Sequence, residues 1–307
     1  MFAAARRRLF PWTAAPSRAR SSAPIPRDRW ASATVFASLQ GVSVAYDDGR
    51  RAVLEDLSLD IPRGSVTCLV GPSGGGKSTI LNLVAGLTRP TRGAVRSDVA
   101  AGSRVGVVFQ EAGLMPWLTL LDNVAFPLAL AGVDRTERRE RAAEMLRTVH
   151  LLRFRDAFPH ELSGGMQQRG ALARALVTDP PAILFDEPFA ALDAEMRALL
   201  QDEVERVFLA SRKTLLFVTH DVSEAVRLGD RVVVLGARPA RVLETVHVDA
   251  PRPRAASDAA VLRAVREVTA HIKAEVDKIK REEADDGWCA SQGDAAADPR
   301  RHLGRGI

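Results

Sequence analysis

The run Gly71-Pro72-Ser73-Gly74-Gly75-Gly76-Lys77-Ser78-Thr79 fits the pattern G-x-x-x-x-G-K-[ST]. Its glycines let successive backbone N–H groups turn inward on phosphate oxygens, and a helix N-terminus behind them adds a favourable field. Lys77 can reach the β and γ phosphates, and the Ser78 hydroxyl can ligate Mg²⁺. The run also sits where that chemistry requires it, between the apolar stretch Ser65 to Val70 and a helical pattern starting at Lys77. Spacing and context together favour a nucleoside triphosphate site over a plain glycine-rich turn.

A second constellation lies about a hundred residues on. Ala182 to Phe185 is an apolar strand ending in Asp186 and Glu187. That arrangement puts Asp186 near a metal bound at Ser78 and leaves Glu187 to orient or deprotonate an attacking water. His220 follows the strand Thr214 to Thr219, and Gln110 follows the strand Val105 to Phe109. Carboxyl ends of strands in an α/β sheet form the rim where ligands bind, so both fall on one expected rim. Taken singly, His220 and Gln110 are weak signals, and an acidic pair at a strand end is commonly just solvated.

Leu162-Ser163-Gly164-Gly165-Met166-Gln167-Gln168 opens a further helix, Met166 to Val177, with free N–H groups and the Ser163 hydroxyl facing outward as an anion site. One nucleotide does not need two phosphate-binding helix starts from one chain. A simple cap with capping glycines would explain the segment by itself.

The elements that must position these residues follow from hydrophobic period. Val42 and Val44 alternate with polar neighbours and lead through Tyr46 to Asp47-Asp48-Gly49, a strand and hairpin signature. Ile80, Leu81, Val84 and Leu87 share one helical face. Gly113 to Gly132 reads as loop-rich, while Arg135 to Leu152 and Met166 to Val177 are helical. Met196, Leu199, Leu200, Val204, Val207 and Phe208 mark another helix, and Arg231 to Leu235 and Arg241 to Val248 read as strands. Strands alternating with helices argue for an α/β layered core, into which residues of about 111 to 178 form an all-helical insertion. After Pro251-Arg252-Pro253-Arg254, with Ser257 as N-cap, Val261, Val265, Val268, Ile272, Val276 and Ile279 form a narrow apolar stripe.

The boundaries expected on this reading are a disordered basic leader at 1–34, a body at 35–250, a C-terminal helix at 251–284 and a disordered tail at 285–307. The leader resembles an organellar transit peptide in being Arg- and Ser-rich and acid-poor, but a disordered tail or a start codon placed too far upstream is the favoured reading.

The 307 residues are 46% hydrophobic and 26% charged, a balance that excludes wholesale disorder and a polytopic membrane protein. Cys68 and Cys289 are too few and too far apart for a disulfide framework, which makes a reducing cytosol the default. No run approaches the roughly 18 apolar residues of a spanning helix, so a membrane role requires partner chains. The net charge of +5 invites a nucleic-acid partner. However, seven arginines against Asp28 give residues 1–30 a local +6, which leaves −1 for 31–307. The basic excess belongs to the leader, and no nucleic-acid partner is expected.

Together the motifs resemble those of the ATP-binding-cassette ATPases: Tyr46 as adenine-stacking aromatic, the phosphate loop, Gln110, the Ser163 signature, Asp186-Glu187, Ala191-Leu192-Asp193 and His220. The match runs over residues of about 35 to 250. The resemblance implies a P-loop NTPase (RecA-like) core carrying an antiparallel β subdomain and an inserted α-helical subdomain. It also implies a homodimer sandwiching two ATP molecules, each held by one subunit's phosphate loop and by Ser163, Gly164, Gly165 and Gln167 of the other, with Asp193 at the dimer contact. Lys77, Gln110, Glu187 and His220 would serve catalysis, and Ser78, Gln110 and Asp186 would hold Mg²⁺. Hydrolysis would drive a separate transmembrane permease at the cytoplasmic face of the inner membrane, served indirectly by an extracytoplasmic solute-binding protein. The segments Val108 to Phe126, Asp186 to Asp193 and Val218 to Ala225 look like those of importers for nitrate, sulfonate and taurine. Thiamine-precursor importers share much of the pattern. A lipid or drug exporter, a soluble cassette of the translation or DNA-repair type and an ATP-switched regulatory module are the alternatives. Two departures stand out: Gly170 where the family usually has Val, and Ala190 in place of the usual Gly.

Overall fold

The computed structural model describes residues 34–46, 51–99, 105–190, 192–211, 213–237 and 239–293. The expected leader (save its last residue), the turn at Asp47-Asp48-Gly49, Ala191 and positions 294–307 lie outside the described residues.

Two sheets organise the described residues. β1 (Val35–Tyr46), β2 (Arg51–Pro62) and β4 (Arg92–Ser97) form an antiparallel sheet in the order β2-β1-β4. β3 (Val66–Val70), β5 (Val105–Val108), β6 (Ala182–Asp186), β7 (Thr214–Val218), β8 (Arg231–Leu235) and β9 (Val242–His247) form a second sheet in the order β5-β6-β7-β3-β8-β9. Its first five members are parallel and β9 is antiparallel to β8. β3, β6, β7 and β8 are buried along their whole length, as near-continuous apolar strands covered on both faces should be.

Period-2 alternation divides these strands between two cores. Cys68, Val70, Ile183, Phe185, Leu215 and Phe217 face one, with Phe185 stacked on Phe217 at 4.2 Å. Leu69, Leu184, Leu216, Val218 and Val233 face the other, against α1 (Lys77–Val84) and the inner face of the antiparallel sheet. Burial holds the Cys68 thiol well above the usual range, which keeps it neutral. β4 carries no apolar alternation; its residues are mostly exposed and it is held by pairing to β1.

The insertion is helical as expected, with α2 (Leu120–Leu130), α3 (Arg135–Thr148) and α4 (Gly164–Leu176) packed on one another. Its first part is not the loop that Phe126-Pro127 suggested. Thr119 caps α2 by accepting from Asp122 N, and Leu120, Leu121, Val124, Ala125 and Leu128 are buried on its inner side. That burial outweighs the one hydrogen bond Pro127 forfeits to Asn123 O. Gly170 of α4 has a packing role: a Cβ there would lie 2.6 Å from Leu120 Cδ1, so its absence lets α2 and α4 approach.

Three other ends differ from expectation. α1 stops at Val84 because Gly86, at φ +72°, closes it in a left-handed turn in which Leu87 N bonds Asn82 O; Leu87 is therefore exposed. α3 ends at Thr148 rather than Leu152, with His150 in the left-handed position. After α5 (Ala194–Ser211) and α6 (Val222–Leu228), the last helix α7 (Ala259–Gly293) is capped by Asp258, which accepts from Ala260 N at 2.7 Å, and not by Ser257. α7 also runs past the expected end at 284, through a stretch that contains no proline.

The Pro251 to Arg254 segment is an anchor. Arg252 is buried, stacks on Phe208 and pairs with Asp230 at 2.8 Å and Glu205 at 3.1 Å. Arg254, also buried, donates to the carbonyls of Val226, Val248, Ala250 and Gly229. These arginines fasten the approach to α7 onto the body.

Candidate functional site

β3, β6 and β7 are neighbours in the parallel sheet, and their carboxyl ends release the phosphate loop, Asp186-Glu187 and His220 respectively. The loop is a backbone cradle. A Cβ on Gly71 would lie 2.6 Å from Leu235 O, and one on Gly76, at φ +71°, would lie 2.5 Å from Leu54 Cδ2. Gly74 is at φ +73°. Only glycine fits such positions. Gly76 is the N-cap of α1 without any side-chain cap, so the first N–H groups of that helix carry no capping side chain.

Lys77 is buried and donates through Nζ to Gly71 O at 2.9 Å and Pro72 O at 2.8 Å. Burial lowers its pKa, while the charges of Glu187 and Asp186 pull the other way. Ser78 Oγ donates to Asp186 Oδ1 at 3.0 Å. Burial also raises the Asp186 pKa, with the Ser78 hydrogen bond opposing. A buried carboxylate paired with a hydroxyl beside a glycine cradle is the donor set a hard divalent cation takes, so these residues fit Mg²⁺.

Glu187 follows β6 with φ +47°, a left-handed position rare for a non-glycine residue, and its N–H bonds Val218 O at 2.9 Å. Its Oε2 lies 3.0 Å from His220 Nδ1. His220 is exposed and precedes α6, whose N-cap Asp221 accepts from Ser223 N and Glu224 N. A cavity of about 40 Å³ bounded by Glu187, Arg197, His220 and Glu224 has room for a water molecule.

The remaining expected residues sit apart from this cluster. Tyr46 ends β1 opposite Arg51 and is 44% exposed, open to stacking. Gln110 is exposed just past β5 and makes no hydrogen bond to Ser78, Asp186 or Glu187 among the described residues. Ser73 and Thr79 lie on the loop and on the first turn of α1. Ser163 is the N-cap of α4, accepting from Met166 N at 3.3 Å, with Gly164 exposed and Gly165 half-buried; Gln167 donates to Pro159 O at 2.9 Å. This helix packs on α2, α3 and β5. The Ser163 end is thus presented outward. Asp193 caps α5 by accepting from Met196 N at 2.8 Å.

Sequence reasoning missed two connections. Gln168 donates to Phe109 O at 2.9 Å, which ties the signature helix to the residue before Gln110. Glu224 is buried, accepting from Thr219 Oγ1 and, at 3.2 Å, from Gln201 Nε2, and so braces the strand end that bears His220. The glutamine pair at 167 and 168 was visible in the sequence; nothing in it separated the inward residue from its neighbour.

Comparison with known proteins agrees with this geometry. The ABC transporter family model matches residues 54–190. An uncharacterized ABC transporter ATP-binding protein of Methanocaldococcus jannaschii is 48% identical over 213 residues, covering 68% of this chain and 80% of that protein. The taurine import ATP-binding protein TauB of Pseudomonas entomophila is 40% identical over 256 residues, covering 80% of this chain and 98% of its own. Among solved structures, a dimeric ATP-binding cassette in a post-hydrolysis state bound to ADP and Pi superposes with TM-score 0.64 at 34% identity, covering 71% of this chain and 99% of its own.

Proposed function

The chain belongs to the ABC transporter ATP-binding proteins, ATPases coupled to transport, and from that premise we propose that it energises import of a small solute of the nitrate, sulfonate or taurine type. It does so as a homodimer docked on a separate membrane permease at the cytoplasmic face of the inner membrane, with a solute-binding protein delivering cargo outside. The cargo class is supported by relatives named for taurine import. No described helix is long and apolar enough to cross a membrane, which is consistent with a permease made by another chain.

The observation that carries the catalytic reading is the convergence of Lys77, Ser78, Asp186, Glu187 and His220 on one sheet rim. The main chain from Gly71 to Gly76 cradles the ATP phosphates, and Lys77 neutralises charge on the β and γ groups. Ser78 and Asp186 would hold Mg²⁺, with Gln110 joining them. When bound, Mg²⁺ draws charge from the phosphate oxygens and steadies the leaving diphosphate. Glu187 accepts the proton of the attacking water, and His220 fixes the Glu187 carboxylate through its Nδ1. Ser163, Gly164, Gly165 and Gln167 of the other protomer close the nucleotide from the opposite side, with Asp193 at the contact. Tyr46 stacks on the adenine.

Measuring uptake of labelled taurine, alkanesulfonate and nitrate by the source cells, with the chain present and deleted, and purifying the chain from their membranes, tests the reading. ATP-dependent uptake of one of these that is lost on deletion of the chain is the expected result. A permease that neither co-purifies with the chain nor loses uptake without it would overturn the importer assignment.

A further inference from the structure

Between β8 and β9 the turn residues Gly236, Ala237 and Ala240 lie behind the phosphate loop. A Cβ on Gly75 would meet Gly236 O at 3.1 Å, and one on Gly71 would meet Leu235 O at 2.6 Å, so loop and turn run main chain against main chain. At its far end the turn is stitched to β2, with Ala240 N donating to Val53 O at 2.8 Å. Val53, Leu54 and Ala240 in turn crowd Gly76. The end of β8 and the residues after it therefore touch the cradle, Leu235 at Gly71, Gly236 at Gly75 and Ala240 at Gly76.

Its support comes from the last helix. α7 lays Val261, Ala264 and Val268 into the core and then, two turns later, buries the Glu275 side chain. Glu275 Oε1 accepts from Ala237 N at 3.0 Å, and a Cβ on Gly236 would lie 2.9 Å from the same oxygen. A buried carboxylate needs a donor, and here the donor is the main chain of the turn that backs the phosphate loop.

We propose that Glu275 is a positioning residue for nucleotide binding: through Ala237 and Gly236, α7 holds the phosphate loop in the shape that receives the ATP phosphates. The inference rests on the reading of Gly71 to Thr79 as the ATP site. Glu275 acts through the main chain of Ala237 and Gly236. It fixes the wall against which Gly71 and Gly75 lie, so its loss relaxes the cradle and weakens binding while leaving Glu187 and His220 in place.

The test uses the full chain and a fluorescent ATP analogue with Mg²⁺, together with ATPase KM and kcat and thermal melting. Glu275→Ala raises the nucleotide Kd and KM about threefold to tenfold, the scale of one lost hydrogen bond, with kcat little changed. Glu275→Gln keeps an acceptor oxygen and stays within about twofold of the parent, on the same scale. Gly236→Ala, which pushes a methyl against Glu275, weakens binding like Glu275→Ala, and the Gly236→Ala/Glu275→Ala double variant is no weaker than either. A Glu275→Ala chain that melts lower yet binds with unchanged Kd and KM, or a Glu275→Gln chain as weak as Glu275→Ala, overturns the proposal. Absence of ATP binding in the parent chain would overturn the reading of the ATP site itself.

Discussion

Glu187 Oε2 and His220 Nδ1 lie 3.0 Å apart, joined across the ends of β6 and β7. Glu187 makes this contact from a left-handed backbone at φ +47°. Replacing Glu187 by Gln keeps the shape and removes the base. Turnover is expected to fall by about 10²–10⁴-fold, the usual share of a general base, with ATP binding retained. Steady-state hydrolysis by the purified variant checks this, and turnover near that of the parent would remove Glu187 from the role.

Tyr46 presents an open ring at the end of β1. Tyr46→Ala removes a stacking surface of about 1–3 kcal/mol, so ATP affinity should fall about tenfold. Tyr46→Phe should bind like the parent. Equilibrium titration reads both, and an unchanged affinity for the alanine variant would place the adenine elsewhere.

Gly170 permits the close approach of α2 to α4 at Leu120. Valine, the residue usual in the family at this point, would overpack the site and should destabilise this chain by about 1–3 kcal/mol. Pairing Gly170→Val with Leu120→Ala should recover part of the loss. Chemical denaturation of the single and double variants measures the coupling.

Glu224 is buried beneath His220, and burial raises its pKa above the ordinary 4.5, against the pull of the Thr219 and Gln201 hydrogen bonds. A raised folded-state pKa means that the folded chain holds this proton more tightly than the unfolded chain. The group's contribution is then fully present below 4.5 and is lost as pH rises through the folded-state value. The melting temperature of Glu224→Gln relative to the parent should therefore climb with pH across that window and level off above it. A pH-independent difference would show that the carboxyl titrates as it does in the unfolded chain.

Legibility in the sequence followed locality. The phosphate loop, Asp186-Glu187 and the buried strands are short-range patterns, and their combination at strand ends assigns residues far apart in sequence to one rim. What escaped was decided by packing between distant segments. Pro127 reads as a break until the burial of α2 is seen, and Gly170 reads as a weak helix residue until Leu120 is placed beside it. Arg252 and Arg254 carry no signal in the Pro-Arg-Pro-Arg run, because no local pattern announces that Asp230, Glu205 and a set of carbonyls wait to receive them. Glu275 is one acid among many on a charged helix until the turn at Ala237 meets it.

The strand order also governs when the chain can acquire its site. β3 is central, yet its partners arrive late: Val66 pairs with Leu215 and Thr67 with Arg231. A chain emerging from the ribosome holds its phosphate loop long before β7 and β8 exist to flank it. Contacts so far apart in sequence make folding slow, and the apolar β3 waits unpaired in the meantime. ATP capture should consequently serve as a clock for completion of the sheet, since only a chain synthesised past about residue 235 can bring β8 to the loop that grips the nucleotide.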